Sequence, residues 1–351
     1  MSFQIPNFSR KSVSRAGSVL IDSNANAALK SEALDLINLW RACHAYPVNT
    51  FNATLRSRVK KISKHALVAQ RLKRVPSIEK KLIQNTNMQL ARMQDIGGLR
   101  AVVENIGQVR KLEALYKTGK WTHVLDDIDD YITNPKESGY RSLHLIYRYY
   151  NPKAEAYNGY FIELQIRTQL QHAWATAVET IGTFLNQALK SSEGSNDWLT
   201  YFKYVSAAFA ILEKSPILTE FEELSKEHIF AKCVELQKKL GVIDKLQAFS
   251  IAANAINNDK AKGTYHLIIL NASNRSLRIT SFARRRLEEA NNAYAEAEKR
   301  TLEEKDTQVV LVATDSAESL KRAYPNYFLD TKAFVRQLNR IEKSHILDTV
   351  I

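Results

Sequence analysis

Two runs in the middle of the chain alternate polar and apolar side chains, and this period of two is the strongest constraint on the fold. They span Leu143 to Tyr149 and Tyr160 to Ile166, and such alternation is typical of β-strands with two different faces. In the second run one face carries Glu163 and Gln165, and Arg167 continues it. Buried acids in strands are uncommon unless paired. Either Glu163 bridges to Arg167 structurally, or the two serve a site.

Helical apolar spacing and a further strand surround these two runs. The segment DIGGLRAVV, residues 95–103, predicts a strand that continues from the Gly pair at residues 97 and 98. Together, helices and strands predict an α/β (α+β) fold with a mixed sheet flanked by helices. The predicted helices are Asn24 to Trp40, Ala53 to Leu90, Thr168 to about Lys190, Trp198 to Glu213 and Glu220 to Asn257.

The pattern changes again after residue 260. YHLIILN and SLRITSF predict two strands, followed by a charged helix over 283–304, the strand TQVVLVAT and a last helix from about residue 317. This order predicts a small ββαβα domain. We therefore expect three parts: residues 1–215, a helical linker over 216–260, and a C-terminal domain over 261–351.

Positive charge is concentrated in the first hundred residues. They hold 17 Lys and Arg against 5 Asp and Glu, which is nearly all of the net +13 of the chain. A basic segment of this kind indicates a polyanionic partner, and both nucleic acid and nucleotide qualify. For any single lysine a solvated helix face is the alternative. The densest cluster contains Arg56, Arg58, Lys60, Lys61, Lys64, Arg71, Lys73 and Arg74.

Hydropathy and cysteine content limit the class of protein. No run approaches the roughly 18 apolar residues of a membrane span, and the first residues lack the apolar core of a signal peptide. We therefore expect a cytoplasmic protein without membrane contact. Cys43 and Cys233 are too few for a disulfide framework. We expect both to be buried small hydrophobes.

Two acids and one loop are candidates for chemistry. Asp95 stands before the Gly pair, and an acid there suits a hard metal ion holding phosphates, although a turn is the alternative. The loop NPKESGYRSLH, residues 134–144, presents Tyr140 beside Gly139, and an exposed ring can stack on a nucleobase. A turn whose Tyr packs on the core is again the alternative. Asp95 and Glu163 together would hold Mg²⁺ against a nucleoside triphosphate, although no GxxxxGK[ST] cradle exists in the sequence.

Four blocks in one order resemble the synthetase domain of the RelA/SpoT family. They are SIEKKL, DIGGLRAVV, DYITNPKESGYRSLH and ELQIRTQLQHAWA, and the resemblance covers roughly residues 50 to 185. It implies a nucleotidyltransferase-like fold that moves pyrophosphate from ATP to a ribose 3′-hydroxyl and releases AMP. ATP is thus an expected partner and Mg²⁺ the expected cofactor.

The resemblance also implies roles for individual residues. Asp95 and Glu163 would be Mg²⁺ ligands, with Glu163 also placed to activate the acceptor hydroxyl, and Tyr140 would stack on the acceptor base. Arg100, Arg167 and His144 would join the two acids as catalytic residues. The ATP-binding residues would be Arg74, Ser77, Lys80 and Arg100, and the phosphate and acceptor side would be lined by Lys136, Arg141, His144, Gln165 and Arg167.

The C-terminal unit resembles the pseudo-zinc-finger antitoxin domain of the CapRel group of fused toxin-antitoxin proteins in anti-phage defence. In that group the synthetase pyrophosphorylates the 3′-CCA end of tRNA, and the tail inhibits it until a phage protein, expected to be of capsid type, binds. Tyr324 and Tyr327 would mask the ATP adenine site. The same Tyr-x-x-Tyr spacing occurs at Tyr147/Tyr150 and Tyr201/Tyr204, and a packing pair is the alternative.

Three functions follow, in order of preference. The first is a tRNA-modifying pyrophosphokinase toxin restrained by its tail, with Lys60, Lys61 and Lys64 on the tRNA. The second is an alarmone synthetase that makes (p)ppGpp or (p)ppApp from guanine or adenine nucleotides. The third is a non-catalytic nucleotide sensor, against which the presence of both acids and Tyr140 argues.

Overall fold

The protein divides into two compact units, which we describe separately. The first holds residues 1–133 and 141–169, and the second holds residues 134–140 and 170–351. Our predicted limits at residues 215 and 260 divide the chain differently and stay a prediction. The computed structural model describes residues 3–119, 121–188, 195–247, 265–271, 276–301, 307–313 and 327–350.

The first unit is a five-stranded mixed sheet with helices packed on it. The strand order is β1-β2-β5-β4-β3, in which β2 and β5 are parallel and the other neighbours antiparallel. The predicted mixed α/β fold is confirmed. Its elements are α1 (Arg10–Ile21), α2 (Ala27–Cys43), α3 (Ala45–Lys60), β1 (Leu67–Leu72), α4 (Val75–Gln84), β2 (Gly97–Val103), α5 (Ile106–Thr118), β3 (Val124–Asp130), β4 (Leu143–Arg148) and β5 (Phe161–Thr168).

One face of this sheet forms the core of the first unit. Leu145 on β4 and Leu164 on β5 are fully buried there, together with Ile37 of α2, Phe51 of α3 and Leu112 of α5. Complete burial of such a side chain contributes about 1.5–3 kcal/mol to folding. Because successive strand residues alternate sides, this packing leaves the other face of the sheet to a different set of residues.

The predicted helix over 53–90 is wrong in its middle. The helix α3 ends at Lys60, residues 67–72 form the edge strand β1, and α4 follows from Val75. Antiparallel pairing with β2 gives β1 its backbone partners, and Pro76 lies in the first turn of α4, where proline is favoured. The strand β3 was not predicted, because its sequence VLDDIDD contains four acids, which are depleted in strands.

The second unit begins with long helices and ends in a small sheet. The helix predicted over 220–257 begins later, at Lys226, where the Ser225 side chain accepts a hydrogen bond from His228 N. The last sheet has the antiparallel order β7-β6-β8, and the element order agrees with the predicted ββαβα unit. Its assignment as a pseudo-zinc-finger domain stays a prediction. The elements are α6 (Gln169–Ala188), α7 (Ser195–Glu213), α8 (Lys226–Leu240), β6 (Tyr265–Asn271), β7 (Ser276–Phe282), α9 (Leu287–Thr301), β8 (Thr307–Ala313) and α10 (Tyr327–Val350).

A glycine turn in the second unit shapes the loop before β4. Gly139 has φ +86°, and its N–H donates to the Lys136 carbonyl at 2.7 Å. A β-carbon on Gly139 would lie 2.9 Å from Ser206 Cβ, and the Ser206 hydroxyl donates to the Gly139 carbonyl at 2.6 Å. Both the left-handed backbone and the close contact with α7 therefore require glycine here.

Two expectations on composition can be compared with the structure. Cys43 and Cys233 are buried free thiols, as predicted. In the part of the chain that the structure describes, no helix has the length and apolar character needed to cross a membrane.

Candidate active site

The second face of the first unit's sheet is polar, and we call it the polar face. Register places Gly98 of β2 opposite Glu163 of β5, and Arg100 and His144 on either side of Gln165. Residues opposite each other on neighbouring strands share a face. The polar face comprises Arg71, Gly98, Arg100, His144, Glu163, Gln165 and Arg167.

A continuous chain of hydrogen bonds runs along β5 on this face. Glu163 Oε1 lies 3.0 Å from His144 Nδ1, and Gln165 Nε2 donates to Glu163 Oε2 at 2.9 Å. Arg167 donates to Gln165 Oε1 at 2.9 Å and to the Ser142 hydroxyl at 3.3 Å. All five side chains are buried. The Gln165 amide thus joins Glu163 and Arg167 in one network, and the use of that network as a site stays a prediction.

Glu163 is a buried carboxylate that stays ionised. Burial raises the pKa of its carboxyl, but hydrogen bonding and charge from His144, hydrogen bonding from Gln165 and the charge of Arg71 outweigh that effect. Its pKa is therefore lowered to about 2. Donors aimed at a carboxylate favour its charged form. At neutral pH the polar face thus presents a permanent negative charge at its centre.

Asp95 lies just before β2 and is held by two lysines that the sequence analysis did not assign to the site. Lys73 Nζ is 2.7 Å from one Asp95 oxygen, and Lys81 Nζ is 3.1 Å from the other. Lys73 belongs to the basic cluster, and Lys81 lies four residues after Ser77, one helical turn along α4. That helical spacing was the signal that could have identified Lys81.

The Gly pair serves two different purposes. A β-carbon on Gly97 would lie 2.7 Å from a Val48 side-chain atom, so Gly97 lets α3 approach the sheet. A β-carbon on Gly98 would meet nothing closer than 3.8 Å, and Glu163 Oε2 would be 3.9 Å away. Of the two, only Gly98 therefore leaves space for a β-carbon beside Glu163, and the approach of a ligand at this position stays a prediction.

The other predicted site residues of the first unit lie in several places. Arg74, Ser77 and Lys80 are exposed at the start of α4 and along it, whereas Arg100 lies on the polar face. Arg141 is buried, and one of its nitrogens donates to the Ile132 carbonyl at 3.4 Å. The three lysines predicted to bind tRNA are exposed at and after the end of α3: Lys60, Lys61 and Lys64.

The remaining predicted residues belong to the second unit. Lys136 and Tyr140 lie in the loop described above, with Lys136 Nζ 5.7 Å from the centre of the Tyr140 ring. Tyr140 is half-buried against the core of that unit, which agrees with the packing alternative and leaves its stacking role a prediction. Tyr324 and the side chain of Tyr327 lie outside the described residues.

The donor set on the first unit suits Mg²⁺. Among the described residues no group of three or more His, Cys, Asp or Glu can hold an ion. Mg²⁺ commonly takes one or two carboxylates and completes its shell with substrate phosphates and water. Asp95 and Glu163 supply two hard oxygen ligands, and the space at Gly98 lies beside one of them.

Fold and site together define an α/β protein whose polar sheet face combines one carboxylate, Glu163, with three arginines, a set of charges that suits phosphate groups. Residues 70–182 match the family model described as the region found in RelA / SpoT proteins. The RelA/SpoT resemblance of the sequence blocks is confirmed for this segment.

Three relatives place this match in context. The GTP pyrophosphokinase YjbM of Bacillus subtilis is 35% identical over 88 residues, 25% of this chain and 41% of that protein. The GTP pyrophosphokinase of Escherichia coli K12 is 30% identical over 125 residues, 36% of this chain and 16% of that protein. The chain thus spans less than half of these curated relatives. The crystal structure of small alarmone synthetase 1 of B. subtilis with its product pppGpp has 24% identity and a TM-score of 0.41, covering 48% of this chain and 88% of that one.

Because the pKa of Glu163 is lowered by folding, its ionised form stabilises the native state. We expect this stabilisation, on the order of 2–3 kcal/mol, to be complete above the unfolded pKa of about 4.3 and to be lost as pH falls towards 2. Urea unfolding at several pH values between 6 and 3 measures it. Glu163→Gln should make the free energy of unfolding less dependent on pH in this range. Glu155→Gln, at an exposed position, should leave that dependence as in the wild type. Equal slopes of the unfolding free energy against pH for all three proteins would contradict the assignment.

Proposed function

We propose that this protein is an ATP-dependent pyrophosphokinase that transfers pyrophosphate from ATP to a ribose 3′-hydroxyl. The observation that carries the proposal is the ionised Glu163 on the polar face, held by His144 and Gln165 beside the space at Gly98. The RelA/SpoT match over residues 70–182 supports it. Phosphoryl-type transfer needs positioning and charge neutralisation more than covalent chemistry, and this face supplies charged groups for both.

The basic groups at β1, β2 and α4 are suited to the triphosphate of ATP. Lys73 and Lys81 pair with Asp95 in the structure, and we propose that the same two lysines contact phosphate oxygens of bound ATP. Arg71 and Arg100 add positive charge on the polar face itself. Bound Mg²⁺ would neutralise the transferring phosphates. Arg74, Ser77 and Lys80 remain proposed ATP contacts along α4.

We propose two roles for Glu163. As an ionised carboxylate with a lowered pKa it is suited to holding the cation. Its second proposed role is the activation of the acceptor hydroxyl. His144, Arg141, Lys136 and Arg167 remain proposed acceptor-side residues, with Tyr140 as the stacking ring.

Guanine nucleotides are the acceptors that the relatives favour. The matched proteins from B. subtilis and E. coli are named GTP pyrophosphokinases, so (p)ppGpp synthesis is the function we propose first. Adenine nucleotides, which would give (p)ppApp, share the required ribose.

The acceptor of γ-labelled ATP tests this proposal directly. We expect label on GDP or GTP in the presence of Mg²⁺, and a loss of at least about 100-fold in rate for Glu163→Gln and Asp95→Asn, because each removes a carboxylate that faces the transferring charge. Glu155→Gln is the matched control at an exposed site. A wild-type chain that labels no nucleotide and no tRNA would favour the sensor function instead.

The tRNA 3′-CCA end is the second candidate acceptor, and one observation favours it. Lys60, Lys61 and Lys64 are exposed together at and after the end of α3. Such a lysine group suits an extended phosphate backbone better than a single nucleotide. Modification of tRNA would inhibit translation and make the protein a toxin.

Charge reversal at these three lysines separates the two acceptors. If tRNA is the acceptor, changing all three to Glu should lower tRNA labelling more than tenfold and leave the Kd for ATP within about twofold, since phosphate contacts dominate RNA affinity. The control is Lys11→Glu, Lys111→Glu and Lys153→Glu, three exposed lysines of the same unit. Equal tRNA affinity for both triple variants would show that the cluster is ordinary surface.

We further propose that the C-terminal domain inhibits the enzyme and that a phage protein of capsid type releases it. The resemblance of the tail to antitoxin domains supports this proposal. In addition, Phe334 and Leu338 of α10 lie in the same core cluster against which Tyr140 packs. The tail is therefore part of the core against which Tyr140 of the loop over residues 134–140 packs.

Tyrosine substitution in the full chain tests this inhibition. Replacing Tyr324 and Tyr327 with Ala should raise the transfer rate severalfold if the pair masks the adenine site, whereas Tyr150→Ala, at an exposed position, should not. Full-length variants are required, because truncation before α10 would remove Phe334 and Leu338 from a buried core. An unchanged rate in the double variant would refute the masking role.

A further inference from the structure

Gln165 uses both ends of its side-chain amide inside the protein. Its nitrogen donates to Glu163 Oε2 at 2.9 Å, and its oxygen accepts from Arg167 at 2.9 Å. The side chain is buried, like the rest of the network. An amide whose nitrogen and oxygen are both engaged within the protein is a poor partner for an incoming substrate. This arrangement argues against the acceptor contact that the family resemblance implies for Gln165.

The bond to Glu163 fixes the plane of the carboxylate. His144 contacts Oε1 and Gln165 contacts Oε2. Among the described residues each carboxylate oxygen thus has one hydrogen-bond partner, and a carboxylate oxygen can accept more than one bond, which leaves capacity for a further ligand. Arg167, itself bonded to the Ser142 hydroxyl, holds the far end of the amide. Groups of this kind orient metal ligands, and their removal typically lowers metal affinity or activity by 10–100-fold.

We propose that Gln165 is a positioning residue that orients Glu163 for the divalent cation, and that it does not contact the acceptor. The inference rests on the proposed function, in which Glu163 is a cation ligand. Gln165 lies on the same strand, β5, and orients the carboxylate of Glu163. The bond to Arg167 fixes the orientation of the Gln165 amide. Because the guanidinium of Arg167 only donates hydrogen bonds, it must face the Gln165 oxygen, and the Gln165 nitrogen then faces Glu163.

The test is a titration of the full chain with Mn²⁺, with free Mn²⁺ read by electron paramagnetic resonance. Gln165→Met keeps the length of the side chain and removes both hydrogen bonds. We expect its Mn²⁺ dissociation constant to rise about 10–100-fold, while the KM for the acceptor at saturating cation stays within about twofold. Gln165→Asn retains an amide that is too short to reach both partners. It should shift in the same direction and serves if the Met variant does not fold.

A second glutamine offers a matched control. Gln108 also bonds to a glutamate, with its nitrogen 3.3 Å from Glu104 Oε2 and its oxygen accepting from Glu104 N at 2.9 Å. It lies in the first turn of α5, outside the polar face. Gln108→Met should therefore leave the Mn²⁺ dissociation constant at the wild-type value.

Two results would overturn the proposal. An unchanged Mn²⁺ dissociation constant with a raised acceptor KM would make Gln165 an acceptor contact, and no change in either quantity would leave it without a part in the reaction. Failure of the proposed function has a different signature. In that case the wild-type chain transfers no pyrophosphate, whereas the Mn²⁺ titration still reports whether Gln165 orients Glu163.

Discussion

The candidate site depends on keeping one carboxylate ionised inside a β-sheet. A buried acid without partners would take up a proton, because burial penalises the charged form. Glu163 instead meets His144 from β4 and Gln165 from its own strand, and Arg71 adds positive charge. A sheet whose central strands bury one apolar face can devote its other face to this network, since the core is filled from the apolar side. The division of β5 into Ile162, Leu164 and Ile166 on one side and the polar residues on the other is thus the first requirement of the site.

Part of this arrangement could be predicted from the sequence, and the reasons are local. Alternation in β4 and β5 predicted the strands and the shared face of Glu163, Gln165 and Arg167. The Gly pair predicted a place where a ligand approaches, and the structure shows that a β-carbon would fit at Gly98 beside Glu163. The hydrogen-bond chain could not be predicted, because it depends on the register that sets His144 opposite Gln165. Register is a property of strand pairing and is invisible to a single strand.

The errors of the sequence analysis have physical causes as well. The run between residues 53 and 90 is rich in good helix formers, and β1 exists only because β2 supplies its hydrogen-bond partners. Lys73 and Lys81 were missed as site residues because one lies on the connection from β1 to α4 and the other on α4 itself. Only the folded chain brings both to Asp95. The two lysine ammonium groups more than balance the single negative charge of Asp95.

The loop that carries Tyr140 packs in a different unit from the strands that precede and follow it in the sequence. Residues 134–140 belong to the second unit, whereas the residues before and after them belong to the first. Within the second unit, Gly139 is fixed against Ser206 of α7, and Tyr140 packs on a cluster that includes Phe334 of α10. Protein cores are close-packed and respond to a displaced element by repacking. The C-terminal helix α10 and the loop over residues 134–140 therefore share one core, so a displacement of α10 would remove part of the packing that supports Tyr140.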